Sequence, residues 1–326
     1  METAKRIIEK RGRSAIMKAA EEVLDVGRQI EGVSHAAEYF VNVKLRRDSS
    51  IFPALLSLCC EAVGGDPEKT TSFGAALTLV AIAADIHDDI IDNSKVKYTK
   101  KTVFGKFGSD ISILLGDALL VRGSLLLCKE CGSLSKDRGE TIQRLMFETF
   151  SKICAAETKE TQLKGKLDTK PEEYLEVIRL KASVQELHCK IGAILGGADE
   201  ETVDSFENYG RALGVISVIR DEFIDLLEFP ELRNRIRNEC VPIPVLYALQ
   251  DPTVRNEISS LLEKPRLTKT GAEKIAKLVL HSEQIQELRK RMNSTMKTGL
   301  ETVTTTHNAL LSQELSILLK ATTDGL

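Results

Sequence analysis

The run Ala75–Asp92, AALTLVAIAADIHDDIID, decides how the rest of the chain is read. Its first ten residues, Ala75 to Ala84, carry no charge, and the uncharged apolar stretch already begins at Phe73. Four aspartates follow, Asp85, Asp88, Asp89 and Asp92, at offsets of 0, 3, 4 and 7. Those offsets place all four on one stripe of an α-helix whose body is fit only for a core. Like charges on one stripe repel, and carboxylates in a last turn also face the negative end of the helix dipole. A divalent cation reverses both penalties. Mg²⁺ is typically held by one or two carboxylates, with phosphate oxygens and water completing its shell.

A related cluster recurs at Asp221, Glu222 and Asp225, again after an uncharged run, Ala212–Ile219 (ALGVISVI). The bare spacing is weak, since it also occurs at Glu21-Glu22-Asp25, Glu172-Glu173-Glu176 and Glu200-Glu201-Asp204. Those three lack a long uncharged run before them, and two of them sit near probable helix starts, where acids are merely stabilising. Two acidic clusters, each ending an apolar helix, point to a central cavity. There, facing helices present carboxylates to metal ions and a diphosphate.

The surrounding chain fits a helical protein. No proline occurs between Pro67 and Pro171, and apolar residues recur at three- and four-residue intervals through that span. Period-2 alternation is nearly absent, so the expectation is an all-α bundle of about ten or more helices. Gly64-Gly65-Asp66-Pro67 and Gly196-Gly197-Ala198-Asp199 read as helix ends followed by turns, with Asp199, Glu200 and Glu201 favouring a new helix start. Pro230 reads as the close of a helix, and Pro242 and Pro244 as an extended lead-in to another. No Ser/Gly-rich linker divides the 326 residues, so residues 1–326 are expected to form a single domain.

Charge and composition exclude several classes. With 45 basic against 48 acidic residues, the chain lacks the basic excess of a nucleic-acid binder. The run from Phe73 to Ala84 is shorter than the roughly 20 residues needed to cross a bilayer. The first 13 residues lack the apolar core of a signal peptide, and the seven cysteines have no framework spacing. The expectation is a soluble cytoplasmic protein with no transmembrane segment. Cys128 and Cys131 form one CxxC without a second pair, which favours ordinary thiols over a zinc site.

At the two acidic clusters the chain resembles the trans-isoprenyl diphosphate synthases, or polyprenyl synthetases. The family's first motif, DDxxD preceded by His, is matched by His87, Asp88, Asp89 and Asp92. Its second is matched by Asp221, Glu222 and Asp225, with glutamate in place of one aspartate. Weaker matches follow in order: Gly116-Asp117, Gln162, Lys181-Ala182-Ser183, Gly192–Gly197 and Pro244. The resemblance implies an all-α terpenoid-synthase fold, usually a homodimer. It also implies three Mg²⁺ ions held by Asp88, Asp89, Asp92, Asp221, Glu222 and Asp225, binding an allylic prenyl diphosphate. Metals and a basic residue, Lys181, promote departure of the diphosphate, and isopentenyl diphosphate attacks the allylic cation. Gln162 and Lys97 fall at substrate-binding positions. Ala83 and Ala84, five and four residues before Asp88, stand where bulky side chains floor the family's pocket. With Ala81 and Leu77 below them they imply a pocket deep enough for a chain of about fifteen to twenty-five carbons. The competing reading is that these alanines only let helices pack closely.

Departures from the family pattern fall on the second diphosphate. The family's GKxxRP-like segment supplies a Lys and an Arg, but ungapped counting from Asp88 puts Ser49 and Phe52 there. Lys44 and Arg47 have the right mutual spacing five residues earlier. Lys97-Tyr98-Thr99 replaces RRG, Ser217-Val218 replaces FQ, and Glu239-Cys240 replaces a later GK. Each lost charge-assisted contact removes about 1.5–3 kcal/mol. Three readings follow: a divergent prenyltransferase with a weakened isopentenyl diphosphate site; a class I terpene cyclase, which needs no such site; and a partner-dependent or non-catalytic subunit of a heteromeric synthase. With no tryptophan, a cyclase would have few aromatic faces for its cations, Phe73, Phe223 and Tyr98 among them.

Overall fold

Long proline-free runs with three- and four-residue apolar spacing fold as helices throughout. The computed structural model describes residues 2–45, 51–97, 99–262, 266–303 and 308–324. Ser49, Arg47 and Tyr98, and the side chain of Lys44, lie outside the described residues. The chain runs through α1 (Glu2–Gln29), α2 (Ser34–Tyr39), α3 (Ile51–Ala62), α4 (Thr71–Ile91) and α5 (Val103–Cys131). It continues through α6 (Lys136–Leu163), α7 (Pro171–Lys181), α8 (Ser183–Gly196), α9 (Glu200–Leu227) and α10 (Phe229–Asn238). Last come α11 (Ile243–Ala248), α12 (Pro252–Leu262), α13 (Lys269–His281), α14 (Gln284–Val303) and α15 (Ala309–Ala321). The all-α expectation of ten or more helices holds.

Two compact units form, interleaved in sequence. One comprises Met1–Phe150, Val184–Gly210 and Thr302–Leu318; the other comprises Ser151–Ser183, Arg211–Glu301 and Leu319–Leu326. In the first unit, α4 packs against α1, α3 and α5. Leu55, Leu56, Leu79, Leu115, Leu119 and Leu127 are fully buried there, each contributing about 1.5–3 kcal/mol by leaving water.

Most of the expected breaks are found. α3 ends at Ala62, with Gly64 at φ 90 and the Asp66 carboxylate accepting from the Glu68 amide at 3.1 Å. Gly197 has φ 89, and Asp199 Oδ1 accepts from the Thr202 amide at 2.9 Å before α9. Pro230 differs: it follows the end of α9 but lies in the first turn of α10, where a missing N–H costs nothing. Pro242 has extended backbone ahead of α11, as expected, whereas Pro244 lies in the first turn of that helix rather than in the lead-in.

Two features were not expected. A minimal antiparallel hairpin joins α4 to α5, β1 (Val96–Lys97) pairing with β2 (Lys100–Lys101) in the register Val96↔Lys101 and Lys97↔Lys100. Two-residue strands are too short to show alternation, and the turn uses Thr99 at φ 69 rather than an Asn-Gly signal. Second, α5 is long and apolar enough to cross a membrane by length and composition. Asp117 and Arg122 interrupt it, so a search for uncharged runs passes it over. In the structure it lies along α4 and buries Leu115, Leu119 and Leu127.

Candidate functional site

The acidic stripe of α4 carries its own cation. Lys97 Nζ lies 2.9 Å from Asp89 Oδ1, 3.3 Å from Asp88 Oδ2 and 3.8 Å from Asp85 Oδ1. Burial alone would push the Lys97 ammonium down; the three aspartates outweigh it and hold its pKa well above the usual lysine value. Asp92 caps the C-terminus of α4, its amide donating to the carbonyl of Asp88 at 2.9 Å.

The hairpin that delivers Lys97 is tied at its base. The Ser94 amide donates to the carbonyl of Asp89 at 2.8 Å. The Thr102 hydroxyl donates to the carbonyl of Ser94 at 2.7 Å and accepts from the Gly105 amide at 2.9 Å, which caps α5. Gly105 is needed at that spot, since a Cβ there would stand 1.9 Å from the carbonyl oxygen of Lys95.

Neighbouring motif residues have packing reasons. His87 Nε2 lies 3.4 Å from Asp117 Oδ1 across to α5. A Cβ on Gly116 would meet His87 Nε2 at 2.3 Å, so the Gly116-Asp117 pair both admits and engages the histidine. Along α4 below the aspartates, Leu77 and Ala83 are buried, whereas Ala81 and Ala84 are half-buried.

The second cluster, in the other unit, is split. Asp221 is exposed, with Arg220 at 3.9 Å. Glu222 is buried, and both of its oxygens are engaged. Oε1 accepts from Tyr174 Oη at 2.6 Å and from Arg235 Nη2 at 2.7 Å; Oε2 accepts from the Ile243 amide at 2.6 Å. Arg235 also reaches Glu239 Oε2 at 3.1 Å, and Glu160 Oε1 lies 2.9 Å from Tyr174 Oη, sharing its one hydroxyl proton with the shorter bond to Glu222. Burial pushes the Asp225 carboxyl up to about 7; Arg235 opposes the rise, and Glu222, Glu239 and Glu231 add to it. Lys181 pairs with Glu157 at 3.2 Å and with Glu160. Gln162 is exposed near the end of α6. Sequence reasoning missed Arg235, Tyr174 and Glu160. They come from three different helices, and no spacing along the chain links them to Glu222.

These residues fit a hard divalent cation by donor chemistry, since carboxylate oxygens suit Mg²⁺. The oxygens of Asp85, Asp88 and Asp89 already converge on one positive charge, the Lys97 ammonium. Among the described residues, no three His, Cys, Asp or Glu side chains stand in a metal-holding arrangement by themselves. All seven cysteines are free thiols, Cys128 exposed and Cys131 buried.

The fold is that of the all-α terpenoid synthases. A solved geranylgeranyl pyrophosphate synthetase from Pyrococcus horikoshii superposes with a TM-score of 0.83 at 19% identity, over 99% of this chain and 98% of that one. The polyprenyl synthetase family profile matches residues 32–279, and the chain belongs to that family. A short chain isoprenyl diphosphate synthase from Methanothermobacter thermautotrophicus is 29% identical over 202 residues, 62% of this chain and 60% of that protein. A geranylgeranyl diphosphate synthase from Methanosarcina mazei is 30% identical over 230 residues, 69% of this chain and 68% of that protein. The matched sequence thus spans about three fifths to two thirds of the length of these relatives.

Proposed function

We propose that this chain is a Mg²⁺-dependent prenyltransferase that ionises a long allylic prenyl diphosphate, of about fifteen to twenty-five carbons, in isoprenoid biosynthesis. The observation that carries this reading is the convergence of Asp85, Asp88 and Asp89 on one cation at the end of a helix lined below by Ala84, Ala81 and Leu77. A charged head group and an apolar tail need that order along one helix.

Asp88, Asp89 and Asp92 would hold metal at the first cluster, and Asp221 and Asp225 at the second. Mg²⁺ supplies charge stabilisation for a departing diphosphate. Glu222 serves the second cluster indirectly. Its two oxygens are committed to Tyr174, Arg235 and the Ile243 amide, so it fixes the end of α9 against α10 and α11. Lys97 supplies the basic contact to diphosphate oxygens at the first cluster, and Lys181 supplies a basic group in the other unit; each is now held by acids it can exchange for substrate oxygens. Buried Leu77, Ala83 and Phe73 keep water from the reacting carbon.

The isopentenyl diphosphate site is weakened in this proposal. Phe52, which falls at one of the two expected basic positions, stacks on His188 with ring centroids 5.2 Å apart. We also propose that the chain works as a homodimer through α5 and α6, because Leu114, Val121, Leu125 and Phe147 leave large apolar side chains in solvent there. A related subunit on that face is the competing outcome.

The test is an assay of purified protein with Mg²⁺ and farnesyl or geranylgeranyl diphosphate, with and without isopentenyl diphosphate. Prenyl transfer, with poor use of isopentenyl diphosphate, is the expected result. Efficient elongation removes the weakened-site claim. A hydrocarbon or alcohol product formed regardless of isopentenyl diphosphate points to cyclase chemistry. No turnover at any chain length points to a subunit that needs a partner.

A further inference from the structure

Lys97 sits among carboxylates that the metal reading assigns to a divalent ion. It is a cation set among three carboxylates of one helix, at 2.9, 3.3 and 3.8 Å, with its side chain 24% exposed. Three features of the chain produce this. The aspartates repel one another at the negative end of α4, so a positive charge there is strongly favoured. The hairpin bearing Lys97 is anchored at Ser94, Thr102 and Gly105, so its backbone stays close to the aspartates. Only the lysine stem, four flexible carbons ending in a compact charge, is left to move.

A divalent ion drawn to Asp88 and Asp89 would meet that ammonium within contact distance of the same oxygens. Both cations cannot hold those oxygens at once. We propose that Lys97 is a built-in counter-ion of the first acidic cluster that competes with divalent metal, so that metal loading and release of the Lys97 side chain are one event. Once released, the ammonium is free to meet an anion, and a diphosphate arriving with the metal supplies one. Metal and diphosphate therefore bind cooperatively, while metal alone binds weakly. This rests on the metal reading above and adds a prediction that reading does not make: removing a basic residue tightens cation binding.

The test is Mn²⁺ titration of the full-length, substrate-free protein, followed by electron paramagnetic resonance. Lys97→Met is expected to bind Mn²⁺ about tenfold or more tightly than the wild type. A second measurement needs no variant: amine-reactive labelling of the wild type, read by mass spectrometry, should show Lys97 modified several-fold faster after Mg²⁺ is added. Equal or weaker Mn²⁺ affinity in a folded Lys97→Met protein, or Lys97 labelling unchanged by Mg²⁺, overturns the proposal. No Mn²⁺ binding to either protein, with inorganic diphosphate present as well as absent, overturns the metal reading itself, and this inference with it.

Discussion

Arg235 and Glu222 form a buried ion pair, Nη2 to Oε1 at 2.7 Å, with side chains 11% and 5% exposed. The pair is stapled further by Tyr174 Oη, which donates to the same Glu222 oxygen while accepting from Arg235 at 2.8 Å. A buried pair of this kind contributes little compared with a well-packed apolar substitute, but breaking it is costly because one charge stays behind. Arg235→Met should therefore destabilise the protein by about 3–5 kcal/mol, measured by urea denaturation. Adding Glu222→Gln to that variant should recover a substantial part of the loss. A single variant as stable as the wild type would contradict the assignment.

Histidine burial sets an acid limit on stability. His188 is fully enclosed, its Nδ1–H donating to the carbonyl of Val184 at 2.7 Å, and burial lowers its pKa to about 4. The folded state thus keeps the ring neutral, while an unfolded histidine takes up a proton near pH 6.5. The associated stability is fully present above about pH 6.5 and is lost as pH falls toward 4, at most roughly 3 kcal/mol. Thermal melts across that window should show the decline, and His188→Gln should flatten it.

Gly116 is held to glycine by His87, since a Cβ would stand 2.3 Å from Nε2. Gly116→Ala is expected to cost about 1–3 kcal/mol by overpacking and to displace His87 from Asp117. Denaturation midpoints of Gly116→Ala and wild type settle the first part. A crystal structure of the variant settles the second.

Pocket depth is tested at Ala84. If the half-buried alanines of α4 floor the prenyl site, Ala84→Phe should shorten the longest chain accepted or made, with little change in stability. Product analysis over a series of allylic diphosphates reads this directly. An unchanged product range would mean that the alanines serve only close helix packing.

How much of this was legible in the sequence depends on where the determining partner lies. The stripe Asp85, Asp88, Asp89 and Asp92 was readable because helix periodicity alone puts those residues together. The breaks at Gly64 and Gly197 were readable because local turn chemistry sets them. Lys97 was reachable only through the family resemblance, and its position among three aspartates depends on a hairpin too short to leave a pattern. The network around Glu222 was not readable at all. Tyr174, Glu160 and Arg235 sit on α7, α6 and α10, and only tertiary packing brings them to α9. For the same reason an equivalent metal role for every acid of the second motif was the natural expectation, and the structure distinguishes them: Asp221 exposed, Asp225 half-buried, Glu222 fully engaged.

The central claim is that the aspartates at the end of α4 drive departure of an allylic diphosphate. Its most direct measurement is release of inorganic diphosphate from geranylgeranyl or farnesyl diphosphate in the presence of Mg²⁺, compared between wild type and Asp88→Ala, with circular dichroism to confirm that both are folded. The wild type should release diphosphate and the folded Asp88→Ala protein should not, a loss of at least about a thousandfold. Release at the wild-type rate by Asp88→Ala would contradict the account.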